Sequence, residues 1–443
     1  MATSTPLRIT VIGTGYLGAT HAACMAEMGF EVLGMDVDEA KVAALNAGSL
    51  PFFEPDLEPL LRKHVEAGRV RFTTSYEEVA AFGDVHFVCV GTPQRRDGYA
   101  ADTSYVTAAV AGLAPHLTRE CLVVGKSTVP VGTAAGLAEQ LAGRAPVGAG
   151  AELAWNPEFL REGFAVEDTL SPDRIVAGLR SERAERTLRA VYARPLEQGT
   201  PFLVMDFATA ELVKVAANAF LATKISFINA MAELCETTGA DVTLLADAIG
   251  RDERIGQRFL NAGLGFGGGC LPKDIRAFMV RAGELGVDSA LSFLKEVDAI
   301  NMRRRGRMVE LAREMSGGSL LGARVGVLGA AFKPNSDDVR DSPALNVSGQ
   351  LSLQGALVTV YDPRAMDNAR RLFPTLSYAA SALDACRDAT LVLHLTEWTE
   401  FREMDPAALA AVVHTRCLLD GRNALDPARW RAAGWTYRAL GRP

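Results

Sequence analysis

The feature that most constrains the fold is a glycine pattern close to the start of the chain. The segment Gly-Thr-Gly-Tyr-Leu-Gly at residues 13–18 has the form G-x-G-x-x-G, follows a short β-rich run, and precedes an alanine-rich helix that ends near Gly29. In such a strand–turn–helix unit the first glycine permits the tight turn, the second lets a pyrophosphate approach the backbone, and the third allows the helix to pack on the strand. The pattern therefore predicts a Rossmann-type dinucleotide site at Gly13, Gly15 and Gly18.

Asp36, at the end of the next predicted strand, indicates which dinucleotide binds. It follows the apolar run at residues 30–35 and lies 18 residues beyond Gly18, where a carboxylate accepts a hydrogen bond from a ribose hydroxyl. The same charge repels a 2′-phosphate, so the sequence favours NAD over NADP. The segments Val-Gly-Thr-Pro at 90–93 and Gly-Lys-Ser-Thr-Val-Pro at 125–130 follow later predicted strands. We expect them to line the same ligand crevice, although each also fits ordinary turn chemistry.

The strand pattern of the N-terminal part occurs again in the C-terminal part. Residues 324–329 and 358–362 repeat the pattern of residues 8–13 and 32–36, in the same order and at comparable spacing. Apolar runs that alternate with helical stretches imply doubly wound parallel sheets. The run from Thr209 to about Gly239 has apolar residues at three- and four-residue spacing and lacks Pro and internal Gly. It predicts one long helix between the two sheets.

We therefore predict the fold class α/β, with two Rossmann-type doubly wound parallel-sheet domains joined by a long central helix and a helical dimerisation region. The expected boundaries are 1–205 for the N-terminal NAD-binding domain, 206–315 for the central helical region, and 316–443 for the C-terminal Rossmann-like domain. The long helix has more apolar surface than one bridging helix covers, which predicts a homodimer or a higher homo-oligomer. The arginines at 303–305 are expected on a solvated helix face rather than in an anion patch.

Charge and composition exclude several classes of partner. The chain has 46 Lys+Arg and 53 Asp+Glu, a net charge of −7 and a pI of about 5.6, which argues against nucleic acid and anionic membranes as partners. Seven scattered cysteines fit neither a disulfide framework nor a metal site, so we expect no metal and a reducing compartment. Residues 1–6 lack the features of a signal peptide, and we expect no apolar run near the ~18 residues that span a bilayer. The sequence thus predicts a cytoplasmic protein.

One cysteine stands in a setting that favours a nucleophile. Cys270 follows a glycine run and precedes Pro272, which suits the first turn of a helix, and Lys273 and Asp274 come next. The helix dipole and the lysine both favour the thiolate. Asp274 lies one helical turn beyond Cys270, where a carboxylate can hold a water or accept a proton.

Two further segments have two interpretations each. On the long helix, Glu211, Lys214 and Asn218 share one face, which is either a solvated face or one that turns Lys214 and Asn218 toward the Cys270 cavity. There a Lys-Asn pair would stabilise an alkoxide as an alcohol is oxidised. The segment Asn-Pro-Glu-Phe-Leu-Arg-Glu-Gly at 156–163 is either a ligand loop or a capped helix start.

Four segments, in this order, resemble the nucleotide-sugar 6-dehydrogenases, the family that includes UDP-glucose, GDP-mannose and UDP-N-acetylmannosamine dehydrogenases. They are Gly-Phe-Gly-Gly-Gly-Cys-Leu-Pro-Lys-Asp at 265–274, the segment at 156–163, Glu-Leu-Val-Lys-Val-Ala-Ala-Asn at 211–218 and Phe-Lys-Pro at 332–334, and the resemblance spans about residues 7–430. It implies a four-electron oxidation of a sugar C6 alcohol to the carboxylate with two NAD, through an enzyme-held aldehyde and a thioester.

The resemblance also implies roles for the catalytic candidates. Lys214, Asn218 and a water held by Asp274 would handle the alcohol proton and the oxyanion, while Cys270 would trap the aldehyde as a thiohemiacetal. A water activated beside a carboxylate would then hydrolyse the thioester. The candidates are Cys270, Lys214, Asn218, Asp274, Glu158 and Thr128.

Ligand-binding residues follow from the same resemblance. Arg254 matches a residue that the family presents from a neighbouring subunit, and Arg422 matches a C-terminal arginine near the sugar or its phosphates. Gly269 and an insertion at 97–102 depart from the family pattern and affect only the expected local loop shape. The residues that match NAD contacts are Lys41, Thr92, Thr128, Glu162, Lys273 and Arg340. Those that match sugar-nucleotide contacts are Glu158, Phe159, Arg161, Lys214, Phe259, Gly263, Gly267 and Lys333.

The choice of substrate stays open at this point. The form of the cysteine segment favours UDP-glucose, with GDP-mannose and UDP-N-acetyl-hexosamines as alternatives for the same chemistry. A two-electron dehydrogenase of the hydroxyacid type and a non-catalytic NAD-binding sensor are rivals from other classes. The first needs no cysteine nucleophile, and the second needs none of the catalytic candidates.

Overall fold

The computed structural model describes residues 7–443, so the predicted absence of a signal peptide at residues 1–6 lies outside the described residues. The chain forms two compact units. The first comprises Met1–Ala217 with Arg276–Glu284, and the second comprises Asn218–Ile275 with Leu285–Pro443.

The first unit is built on an eight-stranded sheet. Its strands are β1 (Arg8–Ile12), β2 (Glu31–Met35), β3 (Val70–Thr73), β4 (Val85–Val88), β5 (Cys121–Gly125), β6 (Ala151–Trp155), β7 (Ile175–Gly178) and β8 (Phe202–Met205). Their order is β3-β2-β1-β4-β5-β6-β7-β8, and the first six strands have the Rossmann order. All neighbouring strands are parallel except β6 and β7, which are antiparallel, so the sheet departs from the parallel prediction only near that edge.

Helices cover both faces of this sheet. They are α1 (Tyr16–Glu27), α2 (Glu39–Asn46), α3 (Leu57–Glu66), α4 (Tyr76–Phe82), α5 (Ser104–Leu113), α6 (Thr133–Arg144), α7 (Ala165–Leu170), α8 (Glu182–Val191) and α9 (Ala193–Glu197). The central strands β1, β4 and β5 are mostly apolar and are buried except at Arg8, the first residue of β1, as parallel strands with helices on both faces must be. Asp38, Ser75 and Ser181 cap the starts of α2, α4 and α8 with side-chain oxygens.

The predicted long helix exists as α10 (Phe207–Thr238), which has 32 residues and continues from the first unit into the second. It ends at Thr238, and the next residue, Gly239, has a φ of +76°, the left-handed conformation that commonly follows a helix. Length and mean hydropathy alone would let α10 cross a bilayer, contrary to the expectation that no run qualifies. Core helices of soluble proteins also have these properties, and 44% of its most apolar window is buried in the protein, so α10 is no convincing membrane span.

The second unit has its own sheet, which repeats the Rossmann order. The remaining strands are β9 (Arg324–Leu328), β10 (Leu357–Tyr361), β11 (Ser377–Tyr378), β12 (Leu391–His394), β13 (Cys417–Asp420) and β14 (Thr436–Ala439). Their order is β11-β10-β9-β12-β13-β14, and every neighbouring pair is parallel. The α/β fold class with two sheets and a long central helix is therefore confirmed.

The remaining helices complete the chain. They are α11 (Val242–Gly250), α12 (Leu271–Glu284), α13 (Phe293–Met315), α14 (Pro343–Leu353), α15 (Met366–Leu372), α16 (Ala382–Ala385), α17 (Thr399–Glu403), α18 (Pro406–Ala410) and α19 (Pro427–Ala432). Like α10, α12 has residues in both units.

The solvated helix face predicted for residues 303–305 is wrong for two of its three arginines. Arg304 and Arg305 are 0% and 1% exposed. Arg304 forms an ion pair with Glu236 at 2.9 Å, and Arg305 forms one with Asp341 at 2.8 Å. These arginines stay inside because carboxylates accompany them, which a charge pattern along one helix does not reveal.

Candidate functional site

The three glycines of the first turn differ in what surrounds them. Gly13 has a φ of +86°, and a Cβ there would come within 2.6 Å of Val90. A Cβ on Gly18 would overlap the carbonyl oxygen of Gly13, whereas one on Gly15 would meet nothing within 4 Å. Gly15 is also the N-cap residue of α1, so no side chain caps the helix start. The turn thus leaves open space beside the N–H groups of a helix N-terminus, which is where a pyrophosphate fits.

Asp36 is a buried carboxylate at the end of β2. Its Oδ2 accepts hydrogen bonds from the backbone N–H of Thr14 at 2.9 Å and from Lys41 Nζ at 3.0 Å. Burial raises the pKa of Asp36, but the hydrogen bonds from Lys41 and from the Thr14 and Asp38 backbone outweigh it, so the pKa lies below its ordinary value. The residue is therefore ionised at neutral pH and can accept from a ribose hydroxyl, so these residues fit NAD.

The turns after β4 and β5 are tied together. The Thr92 hydroxyl donates to the Thr128 carbonyl oxygen at 2.7 Å, and the Ser127 hydroxyl donates to the Val90 carbonyl oxygen at 2.7 Å. Since Val90 also lies against Gly13, the turns after β1, β4 and β5 meet at the carboxyl edge of the sheet. Thr92 and Thr128 thus lie together on the dinucleotide side of the first unit.

The segment at 156–163 is a loop after β6 rather than a helix start, and the following helix begins at Ala165. Glu158 forms an ion pair with Lys214 Nζ at 3.2 Å. The same ammonium lies 5.4 Å from the centre of the Phe159 ring. The structure thus brings together Glu158, Phe159 and Lys214 within the first unit, and Lys214 does not lie on a solvated face.

The two neighbouring candidates have different environments. Arg161 Nε and Nη2 donate to Asp168 at 3.0 and 2.6 Å, and its side chain is 52% exposed. The hydrogen bond to Asp168 raises the pKa of Arg161. Glu211, which shares a helical face with Lys214, instead accepts from the Gly132 and Ala134 backbone N–H groups at 2.7 and 2.6 Å, so it caps α6.

Cys270 directly precedes α12, and its carbonyl oxygen accepts the N–H of Asp274 at 2.9 Å. Asp274 is 3% exposed. Its Oδ2 accepts from Asn218 Nδ2 at 2.6 Å, and its Oδ1 accepts from Lys273 Nζ at 2.7 Å. The second unit therefore brings Asn218, Lys273 and Asp274 together one turn after the cysteine.

Exposure distinguishes Cys270 from the other thiols. All seven cysteines lie in the described residues 7–443, and among them only Cys270 is exposed. Burial raises the pKa of Cys24, Cys89 and Cys386 to about 12 and that of Cys121 to about 11. Thiols with such pKa values are not ionised at neutral pH and are poor nucleophiles.

The glycine run before Cys270 is tightly packed. A Cβ on Gly265 would overlap the Asn301 side chain, and one on Gly267 would overlap the Asp341 carbonyl oxygen. A Cβ on Gly263 would likewise lie only 2.5 Å from the Gly421 carbonyl oxygen. These glycines therefore serve close packing of the loop that carries the cysteine, besides any contact with a ligand.

Three side chains hold this loop: Asn301 and Arg305, which are buried, and Arg422, which is largely buried. The motifs did not single out the first, and they placed the other two elsewhere. Asn301 accepts from the Phe266 N–H at 2.7 Å and donates to its carbonyl oxygen at 3.0 Å. Arg305 donates to the same carbonyl at 3.3 Å. Arg422 donates to the carbonyl oxygens of Gly265 at 3.1 Å and, through its other nitrogens, of Leu395 and Phe332.

The other candidates of the second unit lie apart from this cluster or at its edge. Arg254 is 89% exposed and forms a bidentate pair with Asp252. Phe259 is half-buried with a φ of +67°. Lys333 Nζ lies 5.3 Å from the centre of the Phe332 ring. Arg340 pairs with Asp338, and its carbonyl oxygen accepts the Gly268 N–H at 2.9 Å.

Comparison with known proteins gives matches along the whole chain. Three family models match: the NAD binding domain of the UDP-glucose/GDP-mannose dehydrogenase family at residues 7–196, its central domain at 208–303, and its UDP binding domain at 326–427. The UDP-glucose 6-dehydrogenase of Rhizobium meliloti is 42% identical over 440 residues, which cover 99% of this chain and 100% of that protein.

Solved structures give the same result. A UDP-glucose dehydrogenase from Pyrobaculum islandicum superimposes with a TM-score of 0.91 at 39% identity, covering 100% of this chain and 99% of that one. A UDP-D-ManNAc dehydrogenase from Pyrococcus horikoshii has a TM-score of 0.85 at 26% identity, with 98% and 99% coverage.

Proposed function

The chain belongs to the UDP-glucose/GDP-mannose dehydrogenase family and is an NAD-dependent nucleotide-sugar 6-dehydrogenase, and from this premise we propose that its substrate is UDP-glucose. The reaction is UDP-glucose, two NAD and water to UDP-glucuronate and two NADH. The observation that carries the proposal is the full-length similarity, at 42% and 39% identity, to two UDP-glucose dehydrogenases. GDP-mannose and UDP-N-acetyl-hexosamines are the alternatives.

In the first oxidation the chain has to remove the proton of the C6 alcohol and stabilise the oxyanion. We assign these tasks to Lys214, Asn218 and a water held by Asp274. The hydrogen bonds of Asp274 to Asn218 and Lys273 support this assignment, because they fix the carboxylate that would hold the water. NAD, when bound beside the Gly13–Gly18 turn, supplies the acceptor for two electrons and one proton in each oxidation.

In the second oxidation the Cys270 thiolate adds to C6 of the aldehyde. A carbon–sulfur bond forms, and the aldehyde oxygen takes up a proton to give a thiohemiacetal. Loss of the C6 hydrogen as hydride and of the hydroxyl proton leaves a thioester. The exposure of Cys270 and its place at the start of α12 support this role.

Hydrolysis completes the reaction. Water adds to the thioester carbonyl, the carbon–sulfur bond breaks, and the carboxylate and the free thiolate leave. We propose Glu158 or Asp274 as the base, with Thr128 alongside. Glu158 lies 3.2 Å from Lys214 Nζ, and this contact supports its placement beside the proposed substrate residues.

The binding residues are proposed from the family motifs and their environments. The contacts of Asp36 and the open space at Gly15 support the dinucleotide set, which is Gly13, Gly15, Gly18, Asp36, Lys41, Thr92, Thr128, Glu162, Lys273 and Arg340. The sugar-nucleotide set is Glu158, Phe159, Arg161, Lys214, Arg254, Phe259, Gly263, Gly267, Lys333 and Arg422. The three carbonyl contacts of Arg422 favour a role in shaping the pocket rather than in holding phosphate.

We also propose a three-part division of the chain at 1–205, 206–315 and 316–443, a cytoplasmic location and a homodimer or higher homo-oligomer. The family matches at 7–196, 208–303 and 326–427 support the division. Exposed apolar side chains on α10 support self-association.

The test is a panel of sugar nucleotides with purified protein and NAD. UDP-glucose should give two NADH per sugar, with the highest kcat/KM of the panel. A higher kcat/KM for GDP-mannose or for a UDP-N-acetyl-hexosamine would reassign the substrate. One NADH per sugar would contradict the four-electron reaction, and no turnover of any member would contradict catalysis.

A further inference from the structure

A buried glutamate outside the catalytic motifs forms hydrogen bonds both to the glycine turn at 13–18 and to the end of the loop after β6. Glu54 lies between α2 and α3 and is 4% exposed. Its Oε2 accepts hydrogen bonds from the Tyr16 hydroxyl and from the Gly163 N–H, the latter at 2.6 Å. Its Oε1 accepts the Ala165 N–H at 2.7 Å. All four residues belong to the first unit.

Tyr16 is the residue of the glycine turn at 13–18 that forms a hydrogen bond to Glu54. It is the fourth residue of the glycine pattern and the first residue of α1, so its ring direction follows the turn. The ring packs against Phe52 with centres 5.1 Å apart. Burial raises the pKa of Tyr16, and the hydrogen bond and charge of Glu54 raise it further. The phenol therefore stays protonated and donates to the carboxylate.

Gly163 and Ala165, at the end of the loop after β6, donate their N–H groups to the same carboxylate. Gly163 directly follows Glu162, closes the segment at 156–163 and has a φ of +82°. Ala165 begins α7. The same segment carries Glu158, whose partner is Lys214. One carboxylate thus fixes the end of the loop that carries the proposed substrate residues relative to the turn that faces the dinucleotide.

Hydrogen bonds to a buried carboxylate specify geometry firmly. Charge-assisted bonds are shorter and stronger than neutral ones, and a buried carboxylate that loses a donor is left with an unmet desolvation cost. A slip of either loop would break at least one of the three bonds. The arrangement therefore resists relative motion of the two loops.

We propose that Glu54 and Tyr16 are positioning residues. They hold the loop at 156–163 in a fixed position relative to the glycine turn at 13–18. They act through the loop and the turn and not on the reacting atoms. The inference rests on the proposed function, since it concerns the alignment of sugar nucleotide and dinucleotide. Misalignment of reacting groups by about 1 Å can cost roughly 100-fold in rate.

The test uses the full-length variants Tyr16→Phe and Glu54→Gln, each of which changes one polar atom. With UDP-glucose and NAD, kcat should fall about 10- to 100-fold in each, while the Kd for NAD changes less than about threefold. The deuterium isotope effect with sugar labelled at C6 should rise, because the chemical step becomes slower than product release. The double variant should be no slower than the slower single variant, since the two residues act as one unit.

Tyr378→Phe is the matched control, because its hydroxyl donates to the Ala369 and Phe373 carbonyls in the second unit. It should lower Tm without changing kcat or the isotope effect. Wild-type kcat and isotope effect in Tyr16→Phe, or an equal loss in Tyr378→Phe, would overturn the inference. If Glu54→Gln does not fold, Tyr16→Phe decides alone. Absence of wild-type turnover would instead contradict the proposed function.

Discussion

Cys270 has the same thiol group as the other six cysteines but is more exposed to solvent. The other cysteines are wholly or partly buried, and burial raises the pKa of each of them. Cys270 stands exposed at a helix start. Sequence indicated this difference through the glycine run and Pro272. It gave no signal for Arg305, because the carboxylate that permits burial of that arginine lies 36 residues away.

Replacing Cys270 by serine should stop the second oxidation. A serine hydroxyl is not ionised at neutral pH, and an acyl ester hydrolyses more slowly than a thioester. Steady turnover should fall by roughly 1000-fold or more, while binding of NAD and UDP-glucose stays near wild type. NADH counts per sugar, with intact-protein mass spectrometry for a trapped adduct, check this. Wild-type turnover and stoichiometry in the variant would remove Cys270 from the mechanism.

Asp36→Ala should weaken NAD binding and relax the preference against NADP. Loss of a charged acceptor for a ribose hydroxyl costs about 1.5–3 kcal/mol, so the NAD KM should rise by at least about tenfold, with a smaller fall in kcat. Steady-state kinetics with both dinucleotides measure the change. Equal use of NADP by the wild type would contradict the role of Asp36.

At the scale of elements, the conformation of the loop at 265–269, which precedes Cys270, depends on the residues that pack against it. Sequence indicated β1, β2, β4, β5, β9 and β10 because they are largely apolar runs in a strand–helix alternation. It did not identify β6, β13 and β14. It also passed over β3, β8 and β11, which are short strands at sheet edges and carry partly exposed residues. It likewise indicated the loop at 265–269. It did not indicate that Asn301 and Arg422 bond to the backbone of this loop, because both come from distant segments.

Gly265→Ala tests whether packing of this loop matters for catalysis. Gly265 has a φ of +84°, and its Cβ would overlap Asn301. Gly286→Ala is the control, because Gly286 has a φ of +74° with nothing within 4 Å of a Cβ. Gly286→Ala should lose about 1–2 kcal/mol of unfolding free energy from backbone strain alone, and Gly265→Ala should lose more, because its Cβ also displaces Asn301. Only Gly265→Ala should also lower kcat, by roughly tenfold or more, and an equal kcat in both would contradict a packing role.

At the scale of the whole molecule, the two units share one strand order, and α10 exposes apolar side chains at a seven-residue interval. Phe220, Phe227 and Leu234 are 67%, 49% and 58% exposed. A seven-residue spacing places them on one helix face. Such a face favours association with a second copy of the chain.

We expect light scattering to give at least twice the 47.3 kDa of one chain. Phe227→Glu should shift the protein toward the monomer, because a carboxylate on this face would be buried without a partner on association. Leu321→Glu, at a site that is 82% exposed and off the helix, should leave the mass unchanged. A monomeric wild type with full activity would contradict the prediction.

The acidic residue after the second strand has different hydrogen-bond partners in the two sheets. Asp362, the counterpart of Asp36, accepts from the backbone N–H groups of Ala330, Ala331, Arg364 and Ala365 and from the Trp398 indole. Five donors saturate its lone pairs, so no acceptor remains for a ribose. Two Rossmann sheets should therefore bind a single NAD, and calorimetric titration should give one dinucleotide per chain rather than two.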